Sequence, residues 1–230
     1  MSGIISSNIV TDGLLLYLDA ANPNSHISGS TKWNDLKFKE KSGTLLNGIT
    51  FNNTKAGTLQ FDGVDDGINL PNLNFPSSSA RTLSIWLKST GSNPCSTFAY
   101  GDINVPNGSN ILHLNIVGGG SIYWGFNDGD FYTSPLINNS SYYNITCTYN
   151  GGILNTNNVK VYLNGVQTSL TAAGNNIGGY PNTLNTSYTI GYDNGIRYFE
   201  GNISNVCFYN RDLTQEEVTQ NYNALKNRFK

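Results

Sequence analysis

The sequence predicts an all-β sandwich closed by one C-terminal helix, and three observations carry that prediction. Apolar residues alternate with period two in segment after segment, turn-forming Asn and Gly clusters separate those segments, and one helical pattern with its own start signal stands near the end. Composition agrees with them. Charged residues make up 12% of the chain, about half of the roughly 25% usual in soluble domains, and the net charge is -2. Neutral polarity takes the place of charge: Asn supplies about 15% of the residues and Gly another 25 positions, and both favour turns over helices. At 230 residues the chain is long enough for one sizeable core, because a chain of this size buries roughly 70% of its unfolded surface on folding.

Taken in order, Leu83, Ile85 and Leu87 share one strand face while Ser84, Trp86 and Lys88 share the other. Leu112, Leu114 and Ile116 alternate with His113 and Asn115, and Ile122, Trp124 and Phe126 alternate with Tyr123 and Gly125. The pattern repeats in Ile145, Cys147 and Tyr149 and again in Val159, Val161 and Leu163. Between strands lie Asn127-Asp128-Gly129, Asn150-Gly151-Gly152, Asn164-Gly165 and Asp193-Asn194-Gly195, whose residues tolerate positive φ. Asn164-Gly165 joins Val159–Leu163 to Val166-Gln167 as the clearest hairpin. Near the end, Val206 and Phe208 point inward and Cys207 outward, out of phase with Ile203, which predicts a β-bulge near Ser204-Asn205. Thr214-Gln-Glu-Glu217 is a capping box, Leu213 and Val218 form a hydrophobic staple, and Val218, Tyr222 and Leu225 make an apolar stripe. That stripe is too narrow for a core of its own, so the helix should lie on the sandwich, with Lys226, Arg228 and Lys230 complementing its dipole. No linker or repeat divides the chain, giving an extension over 1–11, one domain over 12–226 and a tail over 227–230.

Several function classes are disfavoured. The only basic cluster, Lys37, Lys39 and Lys41, is diluted by Glu40, too little for a nucleic-acid partner. No run approaches the ~18 apolar residues of a membrane span, and the N-terminus has no signal-peptide pattern, so synthesis in a cytoplasm is expected. Cys95, Cys147 and Cys207 have no metal-ligand spacing and are expected as free thiols.

Four segments, Gly13–Pro23, Leu59–Ile68, Val159–Val166 and Phe199–Leu213, resemble in order the laminin-G-like members of the concanavalin A-like lectin/glucanase superfamily. The resemblance implies a jelly-roll of two curved antiparallel sheets. The opening through Asp19-Ala-Ala-Asn-Pro23 and Thr31–Leu36, with the closing Gln220–Phe229, is similar to such domains in virion proteins of tailed phages. This implies a structural or adhesion protein of a virion, in capsid decoration, tail or fibre, made in the host cytoplasm. Its expected partners are other virion proteins, host cell-surface glycans and further copies of itself on the particle. The rivals are a soluble lectin and a glycan-active hydrolase. Retaining glycosidases need two carboxyl groups about 5 Å apart, which the superfamily's hydrolases carry as Glu-x-Asp-x-x-Glu or a close variant. That motif is absent, Glu216 and Glu217 sit in the helix cap, and Asp128 and Asp130 flank a turn glycine, so no enzyme is expected.

Sugar binding calls for aromatic platforms beside amides or carboxylates. Two loops qualify, one offering Trp124, Asn127, Asp128 and Tyr132 and the other Asp193, Asn194 and Tyr198, with Tyr180 a further platform. Trp124 shares its strand face with Ile122 and Phe126, which favours the core, so Tyr132, Tyr180 and Tyr198 are the stronger platforms. Asp62, Asp65 and Asp66 form the densest acidic cluster, a candidate calcium site or a turn in which Asp62 and Asp66 bond backbone N–H groups. The turn is preferred, and no cofactor expected, because Ser204-Asn205 stand where related calcium-binding domains carry an acidic residue.

Overall fold

The structure, a computed structural model, describes residues 8–53, 57–74, 78–91, 95–100, 112–117, 120–126, 129–133, 137, 141–174, 177–181, 187–193 and 197–230. The alternating segments pair into two antiparallel sheets. The first runs in the order Val166–Gln167, Val159–Leu163, Tyr143–Tyr149, Arg81–Ser89, Glu200–Tyr209, Thr58–Asp62 and Thr50–Asn52, with Leu14–Asp19 also paired to Glu200–Tyr209. The second runs Leu170–Ala173, Asp130–Thr133, Ser121–Phe126, Leu112–Val117, Cys95–Tyr100, Tyr188–Ile190, Gly67–Leu70, Gly43–Leu46 and Lys32–Trp33. A short ribbon, Tyr192–Asp193 with Arg197–Tyr198, lies against Cys95–Tyr100.

The apolar positions of both sheets meet in one core. Leu83, Ile85, Leu87, Ile145, Cys147 and Val161 come from the first sheet, and Phe98, Leu114, Ile122, Trp124, Phe126 and Phe131 from the second, all without solvent exposure. Asn164, at φ 53°, and Gly165, at φ 81°, supply the left-handed turn between Val159–Leu163 and Val166–Gln167. In Glu200–Tyr209 the register shifts between Ile203 and Asn205, which is the bulge the sequence phase requires.

The outer face of the first sheet is covered by the helix α1, Gln215–Leu225. Its capping box is formed: the Thr214 hydroxyl accepts from the Glu217 N–H, and the Glu217 carboxylate accepts from the Thr214 N–H. Arg211 grips that same carboxylate with two hydrogen bonds of 2.7 Å, which holds Glu217 below the usual carboxylate range. Leu213 and Val218 pack with Val10, Leu14, Tyr162, Cys207 and Tyr209 in a second apolar cluster. The outward-pointing Cys207 is therefore buried as a free thiol, its pKa pushed well up by burial. Tyr222 and Phe229 stack on the Trp86 ring at 5.6 and 4.1 Å, both within 11° of parallel.

The terminal basic residues act differently from the sequence expectation. None lies in the last turn of α1, and Arg228 instead reaches the buried carboxylate of Asp19 at 2.8 Å. A full charge partner inside the protein outweighs the half-charge of a solvated helix end. The N-terminal segment is fixed as well, because the Val10 N–H donates to Asn221 Oδ1 at 2.8 Å and the Tyr209 hydroxyl donates to the Val10 carbonyl at 3.1 Å.

Arg228→Ala leaves the Asp19 carboxylate, 1% exposed, with its bonds from the Ala21 N–H and the Tyr17 hydroxyl only. We expect a loss of about 1–3 kcal/mol in urea melts, less than for a fully buried pair because the guanidinium is partly solvated. Arg228→Lys should recover part of it.

Candidate functional site

Strand register places a set of polar and aromatic side chains in two rows on the outer face of the second sheet. One row is Asp130, Gly125, His113, Ala99, Thr189 and Asn69, each paired with the next on adjacent strands. The other is Thr171, Tyr132, Tyr123, Asn115 and Ser96. Period two sends these residues outward for the same reason that it sends Leu114, Trp124 and Phe131 into the core.

Within these rows three rings form a stack across three neighbouring strands. His113 lies 4.7 Å from Tyr123 with a 50° tilt, and Tyr123 lies 4.8 Å from Tyr132 with the rings within 21° of parallel. The Tyr123 hydroxyl donates to Asp130 Oδ1 at 2.6 Å. Burial and that carboxylate push the Tyr123 phenol far above its ordinary value, and burial raises Tyr132 as well. Gly125 makes room for the imidazole: a Cβ there would stand 2.2 Å from His113 Nε2. Neither ring nitrogen of His113 has a partner among the described residues. Burial first, and the Arg197 charge second, push its pKa down to about 3, so the ring is neutral.

The ribbon beside this stack supplies the rest. Asp193 and Arg197 form an ion pair at 2.6 Å, and the Asp193 carboxylate is almost wholly buried. Burial raises Asp193 more than Arg197 lowers it. Tyr192 and Tyr198 stack at 6.0 Å and 16°, and the Tyr192 hydroxyl donates to Asn69 Oδ1. The Tyr192 ring rests on Gly67, where a Cβ would come within 2.3 Å of it.

The sequence-derived residues fare unevenly. Tyr132 and Tyr198 are half-buried parts of the two tyrosine stacks, and Asp193 is structural, tied to Arg197. Trp124 is corrected: it has no solvent exposure and packs edge-on against Phe126 in the core, as its parity with Ile122 requires, and is no platform. Tyr180 is 64% exposed but neighbours Tyr149 of the first sheet, whose phenol burial pushes up to about 12 with Tyr180 adding to it. Asn127, Asp128 and Asn194 lie outside the described residues. His113, Tyr123, Asn115 and Tyr192 were not singled out, although period two already put the first three on one outward face.

The acidic cluster is formed. Asp62, Asp65 and Asp66 each bring an oxygen within 4.8 Å of the others. Turn bonds are present too: Asp62 Oδ1 accepts from the Val64 N–H at 2.8 Å, and Asp66 Oδ2 accepts from the Asp62 N–H at 3.0 Å. Those N–H groups lower Asp62, while burial raises Asp66. The place opposite this loop differs from the expectation. Register puts Glu200 across from Asp62, and Ser204 faces Gly57 at the other end of that strand. Nearby, a cleft of about 420 Å³ is lined by Thr31, Leu45, Gly48 and Phe51, with His26 packed on the Phe51 ring at 5.1 Å.

The concanavalin A-like lectin/glucanases superfamily model, of the laminin G 3 type, matches residues 62–219. No curated protein sequence matches the chain. Among solved structures, domain 4 of the extracellular arabinanase AbnA from Geobacillus stearothermophilus, in complex with arabinotriose, is similar with a TM-score of 0.64 at 20% identity. That match covers 91% of this chain and 98% of the arabinanase domain. Trypanosoma rangeli sialidase gives a TM-score of 0.64 at 16% identity over 96% of this chain, which spans 34% of the sialidase chain. The binding domain of Paraclostridial Mosquitocidal Protein 1 gives 0.63 at 16% identity, over 91% of this chain and 52% of that one. At these identities the likeness is one of fold.

His113 yields a pH prediction. Its folded pKa of about 3 lies below the unfolded value of 6.5, so the unfolded chain binds the extra proton between them. Its stabilising contribution is complete above pH ~6.5 and is lost as pH falls toward 3, with a slope of about 1.4 kcal/mol per pH unit. Urea melts across that range should show His113→Gln with a shallower acid slope by about one proton.

Proposed function

Because the chain belongs to the concanavalin A-like lectin/glucanases superfamily, we propose that the outer face of its second sheet is a non-catalytic carbohydrate-binding surface. The observation that carries this reading is the His113, Tyr123 and Tyr132 stack with Asp130 beside it. A sugar packs its C–H face on an aromatic ring while its rim hydroxyls seek carboxylate and amide partners. Asp130 and Tyr132 provide the two chemistries on adjacent positions of one edge-proximal strand. The arabinotriose complex of the similar arabinanase domain, and the binding domain of the mosquitocidal protein, support a recognition role for this fold. The non-catalytic part of the reading rests on the carboxylates: Asp130 takes the Tyr123 hydroxyl and Asp193 is held by Arg197, whereas a retaining glycosidase uses a cooperating pair about 5 Å apart.

The setting in this proposal is the particle of a tailed phage, in capsid decoration, tail or fibre, contacting host-surface glycans. It is supported by the similarity of Gly13–Pro23, Thr31–Leu36 and Gln220–Phe229 to virion proteins. A shallow surface of this kind binds weakly per copy, and display in many copies raises apparent affinity by about 10² to 10⁴.

The domain coupled to beads should bind a neutral-glycan array on which the free monomer scores near background. Tyr132→Ala should remove the bead signal while lowering stability by no more than about 1 kcal/mol, the worth of one aromatic pair. Release of reducing sugar by the monomer, stopped by Asp130→Asn, would replace this reading with a hydrolase. No binding by beads or monomer would leave a purely structural module.

A further inference from the structure

We propose that the cleft between the 26–31 loop and the 46–51 crossover binds a neutral aromatic ring that carries N–H donors, the chemistry of indoles and aromatic amines. Its volume of about 420 Å³ falls within the roughly 300–1,000 Å³ of small-molecule sites. The cleft lies at the edge of the second sheet formed by Gly43–Leu46 and Lys32–Trp33, whereas the His113 stack spans Leu112–Val117, Ser121–Phe126 and Asp130–Thr133 toward the opposite edge. The two sites share no residue, and either can exist without the other.

Both walls of the cleft are fixed. The Leu45 N–H donates to the Thr31 carbonyl at 2.9 Å, which ties the 26–31 loop to the sheet edge. Asn47 and Gly48 turn the crossover at φ 63° and 117°. Leu45, Ile49 and Phe51 are half-buried and line the space between, and the His26 ring tilts against Phe51 with centroids 5.1 Å apart. A flat ring placed there extends an aromatic contact that already exists.

Hydrogen bonding selects what the ring must carry. His26 is 4% exposed, and its Nδ1 lies 3.0 Å from the Lys32 carbonyl, which can only accept, so Nδ1 holds the proton. In the neutral imidazole Nε2 is then an acceptor, and no described residue bonds it. Asn47 is oriented in the same way: its Nδ2 donates to the Asp65 carbonyl at 2.7 Å, which leaves Oδ1 as an acceptor. Two fixed acceptors whose own donors are spent call for a ligand that donates. No Lys, Arg, Asp or Glu lines the cleft, so a charged ligand would lose hydration without gaining a partner. A sugar fits less well, because each of its hydroxyls accepts as well as donates and the imidazole and amide N–H groups are already used.

The test titrates the isotope-labelled full chain with indole and follows its NMR signals. The amides of Thr31 and Gly48 and the His26 Nε2 should shift with a dissociation constant of about 0.1–1 mM, as expected for so small a ligand. 1-Methylindole, the same ring without its N–H, should bind about tenfold more weakly. His26→Asn keeps a donor for the Lys32 carbonyl but has no Nε2, and should reduce that preference for indole. Thr50→Trp, at an exposed lining position, should block the cleft while leaving the melting temperature within about 2 °C. N-acetyltryptophanamide separates the sources: binding as tight as that of indole assigns the cleft to a tryptophan side chain of a partner protein, and its exclusion assigns it to a free small molecule. No shift up to about 10 mM indole, equal binding of indole and 1-methylindole, or shifts that Thr50→Trp retains in full would overturn the proposal. So would methyl glycosides that move the same signals where indole does not.

Discussion

The strand Glu200–Tyr209 carries one residue more than its neighbours can pair, and the position of that residue, Ser204, governs how the first sheet closes. On one edge the strand pairs continuously with Arg81–Ser89 apart from the bulge. The other edge is shared: Thr58–Asp62 takes Glu200 to Ile203, and Leu14–Asp19 takes Asn205 to Tyr209. The bulge falls at the hand-over. There the Ser204 carbonyl accepts from the Ala20 N–H, the Ser204 hydroxyl donates to the Gly57 carbonyl, and Asn205 Nδ2 donates to the Leu18 carbonyl, each at 2.9 Å. Buried backbone groups must be paired, so these side chains complete what two abutting strand ends leave open. The ends approach so closely that a Cβ on Gly57 would stand 2.6 Å from Ala21 Cα. Because side chains alternate, one inserted residue also resets facing: Ile203 and Val206 both reach the core, and Cys207 and Tyr209 turn outward beneath the helix.

The outer face of the second sheet follows the same parity rule with a different outcome, since among the described residues it carries the two-stranded ribbon rather than a helix. Arg197 is met by Asp193 and His113 is neutral, while the Tyr123 hydroxyl donates to Asp130, a bond that orients the carboxylate without cancelling its charge. The face itself is built from aromatic contacts and short hydrogen bonds, interactions that fall off within a few ångströms and are little affected by salt.

How much of this was legible depended on whether the signal was local. The strands around Leu83, Leu114 and Val161, the Asn164-Gly165 hairpin, the bulge and the Thr214 cap all come from spacings of a few residues, and all are present in the structure. Arg228 was misassigned because its partner Asp19 is 209 positions away in sequence, and proximity to a helix end was the only local cue. The His113 stack was half legible. Parity gave the face, but pairing of Leu112–Val117 with Ser121–Phe126 and of the latter with Asp130–Thr133 was needed to set His113, Tyr123 and Tyr132 side by side. The alternation put Gly125 on the outward face of its strand but gave no sign of what it faces. Only register shows that it opens space for an imidazole.

The rim of the sandwich links the features that sequence treated separately. Asp66 precedes Gly67, and Gly67 is the floor on which Tyr192 lies, with Tyr198 stacked beyond it. The backbone that turns at the acidic cluster therefore enters the second sheet directly beneath the aromatic ribbon. Ribbon position is fixed from both sides, by the Tyr192 hydroxyl on Asn69 and by the Phe199 N–H donating to the Gly191 carbonyl at 2.7 Å. A shift of the crossover loop would move Gly67, and the ring packed at contact distance on it would have to follow, because close-packed groups transmit displacement rather than absorb it. The half-buried Tyr192 and Tyr198 are thus placed through Gly67, one residue beyond the buried carboxylate of Asp66.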